Sequence, residues 1–212
     1  MQNIRTVVIE DITLLRELII NSLKSDPQFE IVGQAADGHQ ALELIRSRLP
    51  DMLILDLMLP GLAGVEVLKR FFKLNPKGRV LVVTGYENPA LVREVLEAGA
   101  QGFIEKSASL EDMVLAIKKV AHGESYLGNS VAQMLRDAAF SKNNDPVPLT
   151  SREREALQMI AEGKSTKEIA DIMKISVNTA RNHRANLMAK LNIHDISSLT
   201  RYAIKMGIAT AR

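Results

Sequence analysis

Asp51-Met52-Leu53-Ile54-Leu55-Asp56-Leu57-Met58-Leu59-Pro60-Gly61 is the stretch that decides the fold. An almost wholly apolar run closed by a Pro-Gly turn signal reads as a strand at 51–56, covered on both faces as strands of parallel sheets are. Asp56 ends that strand. In open α/β sheets ligands bind beyond the carboxyl ends of the strands, so a carboxylate placed there is a candidate functional group.

Working outward, further strands are expected at 5–9, 30–35, 79–84 and 101–105, and helices at 12–25, 38–48, 64–74, 89–98 and 109–121. This alternation predicts an α/β doubly wound five-stranded parallel sheet of order 2-1-3-4-5 over residues 1–122, with helices on both faces. The pattern changes after His122-Gly123. Residues 123–148 read as a linker carrying a helix at 129–140 and ending in the polar, twice-proline stretch Ser141-Lys142-Asn143-Asn144-Asp145-Pro146-Val147-Pro148. No strand pattern remains over 149–212, which read as a small all-α domain of four helices. Thr150 with Glu153 and Ser165 with Glu168 form capping boxes. Ser176 caps a third helix at about 177–190, and Ser197 or Ser198 a fourth at about 197–206.

Composition narrows the class. Apolar residues make up 46% and charged residues 25% of the 212, an ordinary globular balance. There is no cysteine, which excludes disulfides and thiolate metal sites and fits a reducing cytoplasm. No apolar stretch approaches a membrane span, and the N-terminal residues lack a signal-peptide pattern, so a soluble cytoplasmic protein is expected. Charge is uneven: residues 1–127 hold 14 Lys+Arg against 17 Asp+Glu, whereas residues 149–212 hold 11 against 6. A basic C-terminal module is what a nucleic-acid binder would show.

Glu10 and Asp11 follow the first strand directly. In a 2-1-3-4-5 sheet the first and third strands are neighbours, so Glu10, Asp11 and Asp56 converge. Three carboxylates raise one another's pKa unless a cation neutralises them, and an all-oxygen set suits Mg2+. Thr84 ends the fourth strand and Lys106 follows the fifth, which brings a hydroxyl and an ammonium to the same end of the sheet. Phosphoryl transfer needs positioning and charge neutralisation above all, and these are the parts it requires, with Asp56 as acceptor.

Downstream, residues 167–180 read as helix, tight turn, helix, with Ala170 small at the crossing and Ile169, Ile172, Ile175 and Ala180 supplying a shared core. Asn178, Thr179, Arg181, Asn182, His183, Arg184 and Asn186 then form a segment rich in cations and amides, the side chains that reach phosphates and base edges in a major groove. Lys167 and Lys190 complete the candidate DNA-contacting set. Gly163-Lys164-Ser165 is not a phosphate loop, because its earlier glycine would fall at Gln158. His183 and His194 lack the Cys or paired acids of a zinc site.

Residues 1–122 resemble the receiver domain of two-component response regulators. The resemblance rests on Glu10-Asp11, Asp56 with Met58-Leu59-Pro60-Gly61, Thr84-Gly85, and Lys106 preceded by Phe103. It implies that Asp56 takes a phosphoryl group from a sensor histidine kinase, and that Asp11, Asp56 and the Met58 carbonyl ligate Mg2+ with Glu10 acting mostly through water. It also implies a switch pair, with the Thr84 hydroxyl moving toward the phosphoryl group while the Phe103 ring turns inward. Residues 149 to about 206 resemble the LuxR-type helix-turn-helix domain, through Leu149-Thr150-Ser151-Arg152-Glu153, Ile160-Ala161-Glu162-Gly163-Lys164-Ser165, Lys167-Glu168-Ile169-Ala170, Ile175-Ser176, Thr179, His183 and Lys190-Leu191.

Together these resemble a NarL/FixJ-type response regulator. That implies a DNA-binding transcription factor, not an enzyme, in which phosphorylation controls homodimerisation on double-stranded DNA, with the fourth helix as a dimer contact. The chain departs from the pattern at Glu10, where Asp is commoner, and at Ala180-Arg181 and Ala185, which unsettles the usual base contacts. Two alternatives are a phosphorylation-independent DNA-binding regulator with a vestigial receiver, and an Asp-nucleophile phosphatase. The second lacks an acid just after Asp56, where Leu57, Met58 and Leu59 stand.

Overall fold

The computed structural model describes residues 3–85, 88–140 and 149–209; the polar stretch 141–148 lies outside the described residues. The elements run β1 (Ile4–Ile9), α1 (Thr13–Lys24), β2 (Phe29–Ala35), α2 (Gly38–Arg48), β3 (Met52–Leu55), α3 (Gly64–Leu74), β4 (Arg79–Thr84), α4 (Pro89–Glu97), β5 (Gly102–Glu105), α5 (Leu110–Ala121), β6 (Tyr126–Leu127) and α6 (Asn129–Phe140), then α7 (Ser151–Ala161), α8 (Thr166–Met173), α9 (Val177–Leu191) and α10 (Ile196–Lys205). The chain divides into two compact units, residues 1–143 and 144–212.

In the first unit every strand pairing is parallel, and the order is β2-β1-β3-β4-β5-β6. The expected 2-1-3-4-5 arrangement is present, but the sheet has six strands rather than five. The sixth is only two residues long, with Gly102 opposite Tyr126 and Phe103 opposite Leu127, and so short a strand leaves no periodic signal. The stretch read as a linker is therefore partly structured: Val131 of α6 is wholly buried in the same apolar cluster as Phe103, with Met134 and Leu135 packed against it.

The run at 52–55 is apolar throughout because both faces of β3 are covered. Leu53 and Leu55 join one cluster with residues of α2, α3 and α4, whereas Met52 and Ile54 join the other with α1 and α5. In register Ile9 lies opposite Leu55, and Thr84 opposite Glu105. The carboxyl ends of β1 and β3 are thus level, which puts Glu10, Asp11 and Asp56 side by side.

The second unit is the expected four-helix module. Both capping boxes form, at Thr150/Glu153 and Ser165/Glu168, and Ser176 caps α9. Two details differ from expectation. Asp195, not Ser197 or Ser198, caps α10, its carboxylate accepting from the Ser198 N–H at 2.8 Å. Ile172 is 45% exposed, and Met173 fills the core beside Ile169, Ala170 and Ala180 instead. Apolar residues at 169, 172 and 173 span more than one helical face, and the core takes the i, i+4 pair.

Among the described residues no helix is long and apolar enough to cross a membrane.

Candidate functional site

Glu10 and Asp56 are each 1% exposed, whereas Asp11 stands in solvent. Carboxylate oxygens of the three lie within 4.8 Å of one another. Lys106 reaches into this cluster: its Nζ lies 2.6 Å from Glu10 Oε1, 2.9 Å from Asp56 Oδ2 and 3.9 Å from Asp11 Oδ1. The main chain assists, with the Ile12 N–H donating to Glu10 Oε1 at 3.0 Å and the Met58 N–H to Asp56 Oδ1 at 3.1 Å.

One ammonium does not neutralise three carboxylates. Burial, and then the negative charge of Asp56, push the Glu10 carboxyl up to about 7 from 4.5. Burial likewise raises Asp56, although Lys106 and the Met58 N–H pull it back. Burial alone would lower Lys106, but Asp56 and Glu10 together hold it above its usual value. Glu10 Oε2 is buried without a hydrogen-bond partner. A surplus of negative charge, an orphaned carboxylate oxygen and an all-oxygen donor set are what a hard divalent cation satisfies. Ligand oxygens around octahedral Mg2+ stand about 3–4 Å apart, so small movements of the exposed Asp11 would close the set.

The other expected site residues lie at the same sheet end. Thr84 is wholly buried at the end of β4, and the Lys106 N–H donates to its carbonyl at 2.9 Å. Phe103 is also wholly buried, its ring already among the core residues of the α4 side. Three residues that sequence reasoning passed over support the site. Arg16 donates to the Glu10 main-chain carbonyl at 2.6 Å. Gly64 lets α3 begin against the loop after Asp56: a Cβ there would fall 2.2 Å from the Asp56 carbonyl oxygen. Glu105 ties β5 to α6 through the Val131 N–H. Only the glycine, opening a helix just after a Pro-Gly turn, left a signal in the sequence.

In the second unit, α9 presents Asn178, Arg181, Asn182 and Asn186 on one exposed face, around the small Ala185. Thr179 is exposed beside them with its Oγ1 2.8 Å from Ser176 Oγ, and Lys167 is exposed on α8. His183 and Arg184 are half-buried, because they flank the core stripe of Ala180, Leu187 and Leu191. The Lys190 ammonium sits 2.7 Å from Glu153 Oε2, so it braces the start of α7. The hydrogen bond from Lys190 is the main reason the Glu153 carboxyl is held below its usual range.

Comparison with known proteins agrees with this geometry. Residues 6–118 match the response regulator receiver domain family, and residues 147–203 the bacterial regulatory proteins, luxR family. The chain is 32% identical over 207 residues to the transcriptional regulatory protein MctR of Rhizobium johnstonii, covering 98% of this chain and 96% of that protein. To the response regulator GacA of Pseudomonas aeruginosa it is 31% identical, covering 98% of this chain and 99% of the other. Among solved structures, the signal receiver domain of the putative response regulator NarL from Mycobacterium tuberculosis is 35% identical, with a TM-score of 0.54 over 58% of this chain and 100% of that domain. The chain belongs to the DNA-binding response regulators that join a receiver domain to a LuxR-type helix-turn-helix domain.

Proposed function

We propose that Asp56 is the phosphoacceptor of this regulator and that its modification controls DNA binding by the second unit. The observation that carries the reading is Lys106 Nζ, just past the end of β5, bridging Glu10 and Asp56 at the level ends of β1 and β3. An Asp56 carboxylate oxygen attacks the phosphorus of a phosphohistidine on a sensor kinase. The P–N bond breaks, the imidazole leaves with its electron pair, and an acyl phosphate forms on Asp56. Lys106, already within hydrogen-bond distance of Asp56, pairs with the transferred oxygens, and the Thr84 hydroxyl turns toward them as a donor.

Asp11, Asp56 and the Met58 carbonyl would hold Mg2+, with Glu10 acting through water, and the ion would offset charge on the phosphoryl oxygens. Glu10 and Asp56 hold Lys106 beside the acceptor before transfer, so the ammonium starts within reach of the incoming group. The phosphoryl group adds negative charge where Lys106 now serves two carboxylates, so the ammonium must leave Glu10. That shift, passed through β5 to the Phe103 side of the sheet, is the local start of homodimerisation.

Dimerisation, with α10 as a contact, would set two α9 helices in successive major grooves of double-stranded DNA, where Arg181 and its amide neighbours face the bases. An Asp-nucleophile phosphatase is disfavoured by Leu57, Met58 and Leu59, and a vestigial receiver by the convergence of Glu10, Asp11, Asp56 and Lys106. The protein acts in the cytoplasm, as a partner of DNA.

The test is treatment with acetyl phosphate and Mg2+, followed by intact mass and DNA binding, on wild type and Asp56→Asn. Wild type should gain one phosphoryl group and bind DNA more tightly, and the variant should do neither. A wild type that gains no mass, or that binds DNA equally with and without the modification, overturns the reading.

A further inference from the structure

We infer that Arg16 is a positioning residue for the cation site, holding the turn that carries Glu10 and Asp11 so that Asp11 faces Asp56. The inference rests on the metal site proposed above and assigns that site's support to a residue outside the carboxylate set.

Asp11 is the least constrained of the three acids. Its carboxylate is 39% exposed, and its nearest charged partner, Lys106 Nζ, is 3.9 Å away, too far for a hydrogen bond. The position from which its side chain departs is therefore set by its main chain. Inside the turn one bond is in place, the Ile12 N–H donating to Glu10 Oε1 at 3.0 Å; beyond it, α1 begins at an N-cap, Ile12, that has no side-chain cap. Sheet pairing also stops one residue short, because the Glu10 N–H still donates to Ala35 but the Glu10 carbonyl lies past the end of β1.

Arg16 supplies the support from the first turn and a half of α1. Its Nη1 donates to the Glu10 carbonyl at 2.6 Å, its Nε to Gln34 Oε1 at 3.3 Å on β2, and its Nη2 lies 3.4 Å from Thr13 Oγ1. The Glu10 carbonyl and the Asp11 N–H share one peptide plane, so fixing that oxygen fixes the plane from which Asp11 projects. The planar guanidinium makes these bonds together, on α1 and β2 at once, which an ammonium cannot do. Arg16 thus does for Asp11 what outer hydrogen-bonding partners do for metal ligands generally.

The inference has a rival built into the same residue. A guanidinium near a cation site also repels the cation, so by charge alone its deletion tightens binding. Charge and position are separated by Arg16→Lys, which keeps the charge and loses the fork, and Arg16→Met, which loses both.

Mg2+ binding to the full chain is measured by isothermal titration calorimetry for wild type, Arg16→Lys, Arg16→Met and Asp11→Asn, with melting temperature in the absence of metal as a check on folding. Position predicts a Mg2+ Kd about tenfold weaker in both Arg16 variants. It also predicts an acetyl phosphate reaction rate that recovers at saturating Mg2+, and metal-free melting close to wild type. Binding in Arg16→Lys as tight as in wild type, or tighter in Arg16→Met, overturns the inference while Asp11→Asn still loses affinity. If wild type itself binds no Mg2+, the metal site fails first and this inference with it. If Arg16→Met does not fold, Arg16→Lys and Gln34→Leu, which removes the β2 anchor, decide the matter by the same criterion.

Discussion

The carboxylate of Glu105 accepts a hydrogen bond from the main-chain N–H of Val131, 3.1 Å away and 26 residues along the chain. The Ser130 hydroxyl donates to the same oxygen, and the Gly128 N–H donates to the Phe103 carbonyl at 2.9 Å. Glu105 adjoins Lys106 in sequence, so α6 hangs from the strand that ends in the ammonium of the acidic site. Glu105→Ala removes an acceptor at the start of α6 and should cost about 1–3 kcal/mol of local stability. Hydrogen exchange at the amides of residues 130–137 should quicken by about tenfold or more. Exchange at the wild-type rate would mean that the apolar packing of Val131 alone holds α6.

The raised Glu10 carboxyl gives the site a pH signature. It titrates at about 7, against 4.5 for an unperturbed group. A carboxyl raised by folding stabilises the folded state below its unfolded value, and the contribution is lost as pH climbs through the folded value. The metal-free protein should therefore lose stability between these two values. Mg2+ placed among the carboxylates favours their ionised forms, so binding near pH 6 should release a large fraction of a proton, and binding at pH 8 little. Calorimetry in buffers of different ionisation heat reads the count. Equal release at the two pH values would show that Glu10 does not carry the proton.

What was legible in the sequence was what periodicity and strand ends can carry. The run 52–55 announced a strand covered on both faces, and Glu10, Asp11, Asp56, Thr84 and Lys106 could be placed together because parallel order fixes which ends are neighbours. Contacts set by three-dimensional packing left no such trace. Arg16 reads as a plain helix cation until its guanidinium is seen against the Glu10 carbonyl. Tyr126–Leu127 is too short to alternate, and Ile172 fits a helical stripe that the core does not use. Charge alone does not reveal that the Lys190 ammonium has a carboxylate partner, Glu153, 37 residues away.

Gly64 should resist substitution for a reason tied to the site. A Cβ there would lie 2.2 Å from the Asp56 carbonyl oxygen and 2.6 Å from the Leu57 Cα, both of them backbone that cannot step aside cheaply. Gly64→Ala must push the Asp56 main chain, at a cost of about 2–3 kcal/mol, and should slow phosphorylation by acetyl phosphate. Gly85→Ala is the control, since its Cβ would meet nothing nearer than Lys106 Cδ at 3.9 Å. Urea unfolding and the rate of mass gain test both, and a Gly64→Ala protein as stable and as quickly modified as Gly85→Ala would refute the steric argument.

The two cations of α9 that sequence reasoning treated alike should separate in a DNA-binding assay. Arg181 stands on the exposed face of α9. Lys190 is held by Glu153, whose other bonds close the capping box at the start of α7. A cation that reaches a phosphate releases counterions, so Arg181→Ala should weaken binding and reduce the salt slope by about 1. Lys190→Ala should leave the slope nearly unchanged and instead lower the melting temperature, because the Glu153 carboxylate loses its ion-pair partner. That stabilisation is present above the ordinary carboxylate range and fades as pH falls through the depressed Glu153 value, so the melting difference between wild type and Lys190→Ala should shrink in acid. A salt slope that drops as far in Lys190→Ala as in Arg181→Ala would return Lys190 to the DNA-contacting face.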